Sequence, residues 1–351
     1  MIAVVIGGGI VGLHVARALQ EKGQGDRPAE VFVLDRSHYP AEGTSGRNSG
    51  VIHSGIFYRP GSFKERVCLE GNRLTYEWLK RLQVPHRPCG KWVVPEEGQE
   101  EGLAPFFERV RSLPIPPPEF VARRELASRE PALRPSDAIF IPSTGILDAA
   151  GYVKSLIRYL EERGGTVLFD CKVTGVNGNR LETTRGPIDF DLGINSAGLQ
   201  ADEIARMIGM TDYEIRPCRG DYYLLNRQPV SRPVYHLPYQ GAHGLGVHLT
   251  PTLDGQTLLG PNAFFIEEKD DYRHRSTPEA FEKGVRFFLP HLKEFSIAPA
   301  YSGNRPKLFR RGEALTEFVI EKKGDWIHLL GIESPGLTAA PALANEVLKL
   351  L

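Results

Sequence analysis

Apolar residues follow two rhythms along this chain, and the switching between them predicts its elements. Ile2-Ala-Val-Val-Ile6 is an unbroken apolar run of strand length, followed by glycines at 7, 8, 9 and 12 and then a helical stretch. Glu30-Val-Phe-Val-Leu34 reads as a second strand, ended by Asp35 after a turn lengthened by 23–29. Beyond a Gly/Ser-rich loop, Leu69, Leu74, Trp78, Leu79 and Leu82 recur near helical spacing, which predicts an amphipathic helix with that stripe in the core. Lys64 and Arg66, at its start, read as a solvated face. Prolines then become frequent. Lys91-Trp-Val-Val94 is a short strand, and Pro116-Pro-Pro118 is a rigid connector rather than a recognition motif.

The α/β rhythm returns at Gly145. Asp148 is a helix N-cap before Ala149–Arg163, and Thr166–Phe169 is a strand. Lys172–Val176 and Arg180–Thr184 predict an antiparallel meander, and Phe190–Asn195 a strand entering a small-residue turn before a helix over Ala201–Ile208. Residues 213–300 are β-rich, with strands at Tyr222–Leu225, Gly246–Leu249 and Thr257–Leu259 and a helix within 270–292. Glu317–Glu321 and Trp326–Gly331 pair like a hairpin, and a last helix runs from about Leu337 to Leu351. The expected fold class is α/β (α+β overall). A discontinuous nucleotide-binding domain comprises 1–84, 143–212 and 301–351. A substrate domain on a mixed or antiparallel β-sheet comprises 85–142 and 213–300.

The length of 351 residues suits two domains sharing an interface. Lys plus Arg and Asp plus Glu both number 43, so nothing resembles a nucleic-acid footprint. Cys68, Cys89, Cys171 and Cys218 are scattered, without the C-x-x-C of a zinc site or a dithiol flavoenzyme. They read as reduced structural thiols, and no metal is expected. The apolar start lacks the basic region of a signal peptide, and no segment is long enough to span a bilayer. The expected location is cytoplasmic, with a peripheral place at the membrane left open.

The glycines carry chemistry. Gly7-x-Gly9-x-x-Gly12 follows a strand and opens a helix, the context a dinucleotide fingerprint requires. Gly7 permits the turn, Gly9 the approach of a pyrophosphate, and Gly12 the packing of helix on strand. Asp35 suits a ribose diol, and the helix N-terminus suits phosphates. The motif alone leaves FAD and NAD open.

Two further turns bear on that choice. Asn195-Ser-Ala-Gly198 looks like a second approach to the phosphates of FAD. Gly331-Ile-Glu-Ser-Pro-Gly336-Leu-Thr338 looks like a turn whose helix end faces the flavin's pyrimidine edge. The interleaving resembles the glutathione-reductase-type FAD fold in its D-amino-acid-oxidase-like branch. Arg47-Asn-Ser-Gly-Val-Ile-His53-Ser-Gly-Ile-Phe-Tyr58 resembles a signature of the L-2-hydroxyglutarate dehydrogenase/oxidase family. Pro60-Gly-Ser-Phe-Lys64, Cys89-Gly-Lys91, Gly145–Asp148, Arg219-Gly-Asp-Tyr222, Gly246–Thr250, Leu259–Asn262 and Ser334–Thr338 match in order. Gly303-Asn-Arg305-Pro-Lys-Leu308 departs from the family pattern around the substrate arginine.

The resemblance implies FAD as cofactor. It extends the cofactor-binding set to Arg36, Ser45, Arg47, Asn48, Ser49, Val173, Ala197, Gly198, Ser334, Gly336, Leu337 and Thr338. It further implies oxidation of a small 2-hydroxy acid, L-2-hydroxyglutarate to 2-oxoglutarate, with oxygen or a quinone as electron acceptor. Such chemistry needs a base for the hydroxyl proton and cations for the carboxylates. His53 is the candidate base, since histidine titrates near working pH. Arg305 is the candidate carboxylate clamp. Tyr222 and His248 are candidates to line the pocket. The rivals are a glycine/sarcosine-type amine oxidase, a glycerol-3-phosphate dehydrogenase and a flavin binder without turnover.

Overall fold

The computed structural model describes residues 1–23, 29–238 and 246–351. The predicted lengthened turn lies outside the described residues over 24–28. Four helices matter for the site: α1 (Ile10–Lys22), α2 (Phe63–Arg81), α3 (Ala149–Glu161) and α4 (Gly336–Leu348). The first sheet uses β1 (Ile2–Ile6), β2 (Glu30–Leu34), β4 (Thr166–Leu168), β5 (Leu192–Asn195), β11 (Val319–Lys323) and β12 (Trp326–Leu330). Its order is β11-β12-β5-β1-β2-β4, parallel throughout except for the antiparallel edge strand β11. Helices α1, α3 and α4 bury one face of this sheet, and the meander Val173–Asp189 covers the other. Both faces of β1 are therefore dry, which is why its sequence does not alternate.

The second sheet holds β3 (Lys91–Val94), β6 (Tyr213–Leu225), β7 (Val234–His236), β8 (His248–Pro251), β9 (Thr257–Gly260) and β10 (Ile297–Arg310) among its strands. Its own core gathers Trp92, Tyr223, Leu249, Phe281 and Leu289. The strand expected at Tyr222–Leu225 is much longer. β6 and β10 pair antiparallel from Tyr213↔Arg310 to Leu225↔Ile297, with a bulge between Asp221 and Tyr223. The boundary expected at residue 301 falls inside β10, whose pairing continues to Arg310. Polar positions at 302, 304, 305 and 307 hid this strand, because its side chains face a cavity and buried partners rather than apolar core.

The α2–α4 contact is close because it is built from small residues. A Cβ at Gly71 would lie 2.7 Å from the Cα of Ala339, and Ala339, Ala340, Ala342 and Ala344 are fully buried. Asp148 caps α3 by accepting from Gly151 N at 2.9 Å.

Lys64 corrects the expectation of a solvated face. Its side chain is buried and salt-bridges Glu333 at 2.9 Å, because α2 begins against the terminal turn rather than in solvent. Arg66 is half exposed and pairs with Glu346 at 2.8 Å.

Candidate active site

A cavity of about 1770 Å³ runs between the two sheets. That exceeds the roughly 300–1,000 Å³ of a drug-sized pocket and leaves room for a dinucleotide and a substrate. One end is walled by Gly7–Gly9, Asp35, Arg36, Ser45, Val173 and Ala197–Gly198. Gly7 has φ +106, open to glycine, and a Cβ there would meet the Ser196 carbonyl. A Cβ on Gly12 would strike the Gly7 carbonyl oxygen, so Gly12 serves packing and is absent from the cavity wall. The Asp35 carboxylate accepts from Gly8 N at 2.7 Å and Ser37 N at 2.8 Å, which fixes the loop and leaves lone pairs for a diol. Ser45 Oγ accepts from Ile10 N at 2.9 Å, at the N-terminus of α1. Arg36 is paired with Asp270 at the cavity wall. Glycine-cradled donors at a helix end, with a carboxylate ending the next strand, fit FAD.

The loop 44–53 crosses the middle. Asn48 donates to Ser45 O at 2.7 Å and accepts from Gly50 N at 2.9 Å, so it staples the loop while lining the cavity. Arg47 stacks over Tyr272 at 4.2 Å and donates to Glu42 O at 2.7 Å. Ser49 and Tyr222 line the same cavity.

His53 stands at the far end. Its Nε2 lies 3.2 Å from Ser334 Oγ in the terminal turn. Its backbone is clamped: the N–H donates to Thr338 Oγ1 at 2.9 Å, and the carbonyl accepts from Asn72 Nδ2 at 2.9 Å. Burial, reinforced by the Lys91 ammonium, pushes the imidazole down to about 3. The expectation of titration near neutral pH is thereby corrected, because the surrounding protein desolvates the ring and a cation lies close. His53 is a neutral imidazole throughout the working range, present in its proton-accepting form.

His248 lines the same space. Its Nδ1 donates to Gly246 O at 3.1 Å and its buried Nε2 has no protein partner. Burial pushes it to about 3, with His53, His236 and Arg305 adding to the effect against the Gly246 bond. The ring stacks on Tyr235 at 4.0 Å, and Tyr235 meets His53 edge-on at 6.5 Å. Tyr222 is buried against Tyr301 at 4.8 Å and lines the cavity.

Arg305 projects from β10. Its Nη1 donates to Asn262 O at 3.2 Å and Arg219 O at 3.4 Å, and no carboxylate pairs with it among the described residues. It fits only because its neighbour is Gly220, where a Cβ would lie 2.9 Å from both terminal nitrogens. Two residues on, Lys307 is committed to Glu333 at 2.8 Å, as is Lys64. Burial alone would raise Glu333, but the two ammonium groups hold it below the usual carboxylate range.

The structure brings His53, Arg305, Tyr222 and His248 to one cavity, with Ser334, Gly336 and Leu337 lining it too. Thr338 is fully buried behind the wall and acts through His53. Sequence reasoning missed Asn72, Tyr235, Glu333, Lys307 and the role of Lys91. Lys91, Lys307 and Glu333 lay inside noted motifs; Asn72 and Tyr235 sit on ordinary helix and strand patterns.

Comparison with known proteins agrees with this geometry. Residues 3–350 match the family model DAO, FAD dependent oxidoreductase. The mitochondrial L-2-hydroxyglutarate dehydrogenase of Arabidopsis thaliana is 31% identical over 98% of this chain and 82% of its own length. The Escherichia coli K12 L-2-hydroxyglutarate dehydrogenase is 33% identical, and the human mitochondrial one 34%. These cover 78% and 77% of this chain, which spans 66% and 62% of their lengths. Among solved structures, FAD-bound L-alpha-glycerophosphate oxidase from Mycoplasma pneumoniae superposes with a TM-score of 0.85 at 26% identity, covering 100% of this chain and 94% of that one. Glycine oxidase from Geobacillus kaustophilus shares the fold, with a TM-score of 0.83 at 16% identity over 99% and 93% of the two chains. With a glycine cradle for FAD, a terminal turn against His53, and a family match along nearly its whole length, the chain belongs to the DAO family of FAD-dependent oxidoreductases.

Proposed function

We propose that this protein is an FAD-dependent enzyme that oxidises the CH–OH group of a small 2-hydroxy acid, with L-2-hydroxyglutarate converted to 2-oxoglutarate. The observation that carries this reading is Arg305: a guanidinium on the cavity wall without a carboxylate partner among the described residues, in the space shared by two neutral histidines. An unpaired cation there calls for an anionic substrate. Bound FAD supplies the two-electron acceptor. The chain supplies the rest. Arg305 grips a carboxylate and fixes the substrate's orientation. His53 Nε2, free to exchange its Ser334 contact for a substrate hydroxyl, takes the hydroxyl proton as C2 is oxidised, once the entering carboxylate offsets the burial and the Lys91 charge that hold the free imidazole at about 3. His248 Nε2, an acceptor without a protein partner on the same cavity, is a second acceptor available to that one hydroxyl donor. The N-terminus of α4 stabilises negative charge beside it.

The relatives named for L-2-hydroxyglutarate support the choice of acid. A glycerol phosphate substrate is favoured by the M. pneumoniae neighbour. It is disfavoured by the site, because Lys64 and Lys307 are both bound to Glu333 and not free for a phosphate. An amine substrate would leave His53 without a task. We further propose oxygen or a quinone as the electron acceptor and the cytoplasm as the location, while several relatives are mitochondrial. No described helix is long and apolar enough to cross a membrane.

The test is anaerobic reduction of the flavin, followed by its absorbance, against 2-hydroxy acids, amino acids and glycerol 3-phosphate. L-2-hydroxyglutarate should bleach it. Bleaching by an amine alone would overturn the reading.

A further inference from the structure

Lys91 is a lysine in an unfavourable place. It opens β3 and its side chain is fully buried, yet its Nζ has no hydrogen-bond partner. No carboxylate forms an ion pair with it among the described residues. What it has instead is aromatic: Nζ lies 4.1 Å from the Phe57 ring centroid and 4.9 Å from that of Tyr235. Both rings line the cavity, and Lys91 does not. They stack on each other at 5.8 Å, and Tyr235 in turn contacts His53 and His248. The lysine therefore sits immediately behind an aromatic wall whose other side faces the reacting end of the cavity.

A buried cation without a counter-ion is costly, and the electron-rich ring faces offset only part of that cost. An apolar side chain would serve packing better. The unbalanced charge becomes useful when an anion enters on the other side of the wall, because little water lies between to screen it. The titratable groups facing Lys91 are Cys68 from α2, His53 from the loop and Tyr235 from β7. None is an anion near neutral pH: burial pushes the Cys68 thiol up to about 12 and raises the Tyr235 phenol further.

We propose that Lys91 is a positioning residue for anionic substrate, its ammonium acting from behind the Phe57–Tyr235 wall to draw a carboxylate to the His53 end of the cavity. This rests on the 2-hydroxy-acid reading and adds a second cation to Arg305, as a dicarboxylate requires. Burial pushes Lys91 down to about 7, against a small opposing effect of Cys68. The attraction is therefore present below about pH 7 and fades above it.

Malonate, a small unreactive dicarboxylate, is the probe, with neutral malonamide as control. Each is titrated into the FAD-loaded enzyme and followed by the perturbation of the flavin spectrum between about pH 6 and pH 8.5. In the wild type, malonate affinity should fall on the order of tenfold as pH rises through about 7. In Lys91→Met, affinity at about pH 6 should already be lower by on the order of tenfold, without that pH-dependent fall, while malonamide binding is unchanged. The same variant should melt at a higher temperature, which separates lost charge from lost packing; Lys91→Gln serves if the methionine variant loses its flavin. Equal malonate affinity in variant and wild type, a pH-dependent fall that survives in the variant, or no malonate binding by the wild type overturns the proposal. If malonate binding depends on Lys91 but L-2-hydroxyglutarate leaves the flavin oxidised, the substrate reading fails and the role of Lys91 stands.

Discussion

The hydroxyl of Thr338 accepts the backbone N–H of His53 at 2.9 Å, joining two residues 285 positions apart. Thr338 lies in the first turn of α4, and His53 ends the loop that crosses the cavity. Thr338 carbonyl also accepts from Thr75 Oγ1 at 3.0 Å on α2, while Asn72 on the same helix holds the His53 carbonyl. Two helices thus fix the histidine's backbone from both sides, and its ring is left to reach Ser334. Thr338→Val keeps the shape and removes the acceptor. Leaving a buried N–H unpaired costs about 1–3 kcal/mol, so the variant should melt at a lower temperature and show reduced kcat with flavin still bound. Wild-type kcat in a flavin-loaded Thr338→Val enzyme would contradict this positioning role.

His53→Ala should bind FAD normally, because no cofactor contact of the glycine cradle involves it. Its reduction by substrate should slow by roughly 10²–10⁴-fold, the usual contribution of a positioned base. Stopped-flow absorbance measures this directly, and unchanged reduction removes His53 from the mechanism.

Because His53 is held at about 3, its basic form is already complete at every ordinary pH. The pH profile of kcat/KM should therefore show no acid limb near 6–7 from this residue. Activity due to His53 is lost only as pH falls through about 3. A limb near 6.5 that vanishes in a conservative His53→Gln variant would show that substrate and cofactor restore an ordinary imidazole.

Gly220→Ala places a methyl group 2.9 Å from both terminal nitrogens of Arg305 and 2.6 Å from Pro261. Something must shift, and the guanidinium is the more movable side. KM for a 2-hydroxy acid should rise by about tenfold or more, while flavin content stays intact. Arg305→Lys should do the same, since an ammonium cannot replace a bidentate fork. An unaltered KM in both variants removes Arg305 from carboxylate binding.

Stability should fall in acid through three other histidines. His14, His248 and His328 are buried, and each is held below its ordinary value mainly by burial, His248 to about 3 and His328 to about 4. The unfolded chain binds protons at these sites below about pH 6.5, while the folded chain resists until the lower values. Their contribution is present above pH 6.5 and is lost as pH falls toward about 4, at up to about 1.4 kcal/mol per pH unit for each. Melting temperature should drop between pH 7 and pH 5, and His14→Gln should flatten the slope. A flat profile in the wild type would sink this assignment.

The sequence by itself determined the glycine cradle. Gly7, Gly9, Gly12 and Asp35 lie within 29 residues on one strand–helix–strand unit, and backbone sterics at glycine act locally, so spacing suffices to read them. The apolar runs of β1, β2 and β12 were legible for the same reason: dry sheet faces leave a contiguous signature. The long β10 was not, because its residues face a cavity and buried polar partners. The meaning of His53 was only half legible. Its place in the loop followed from the motif, but its neutral state depends on burial and on Lys91, 38 positions away on a strand of the second sheet. Lys64 looked solvated until the terminal turn closed over it. Tyr235 and Asn72 carried no signal at all. Local sterics are written in neighbouring residues, whereas desolvation, counter-charges and the clamp of Thr338 on His53 arise only when distant segments are packed together, and those decide the chemistry of this site.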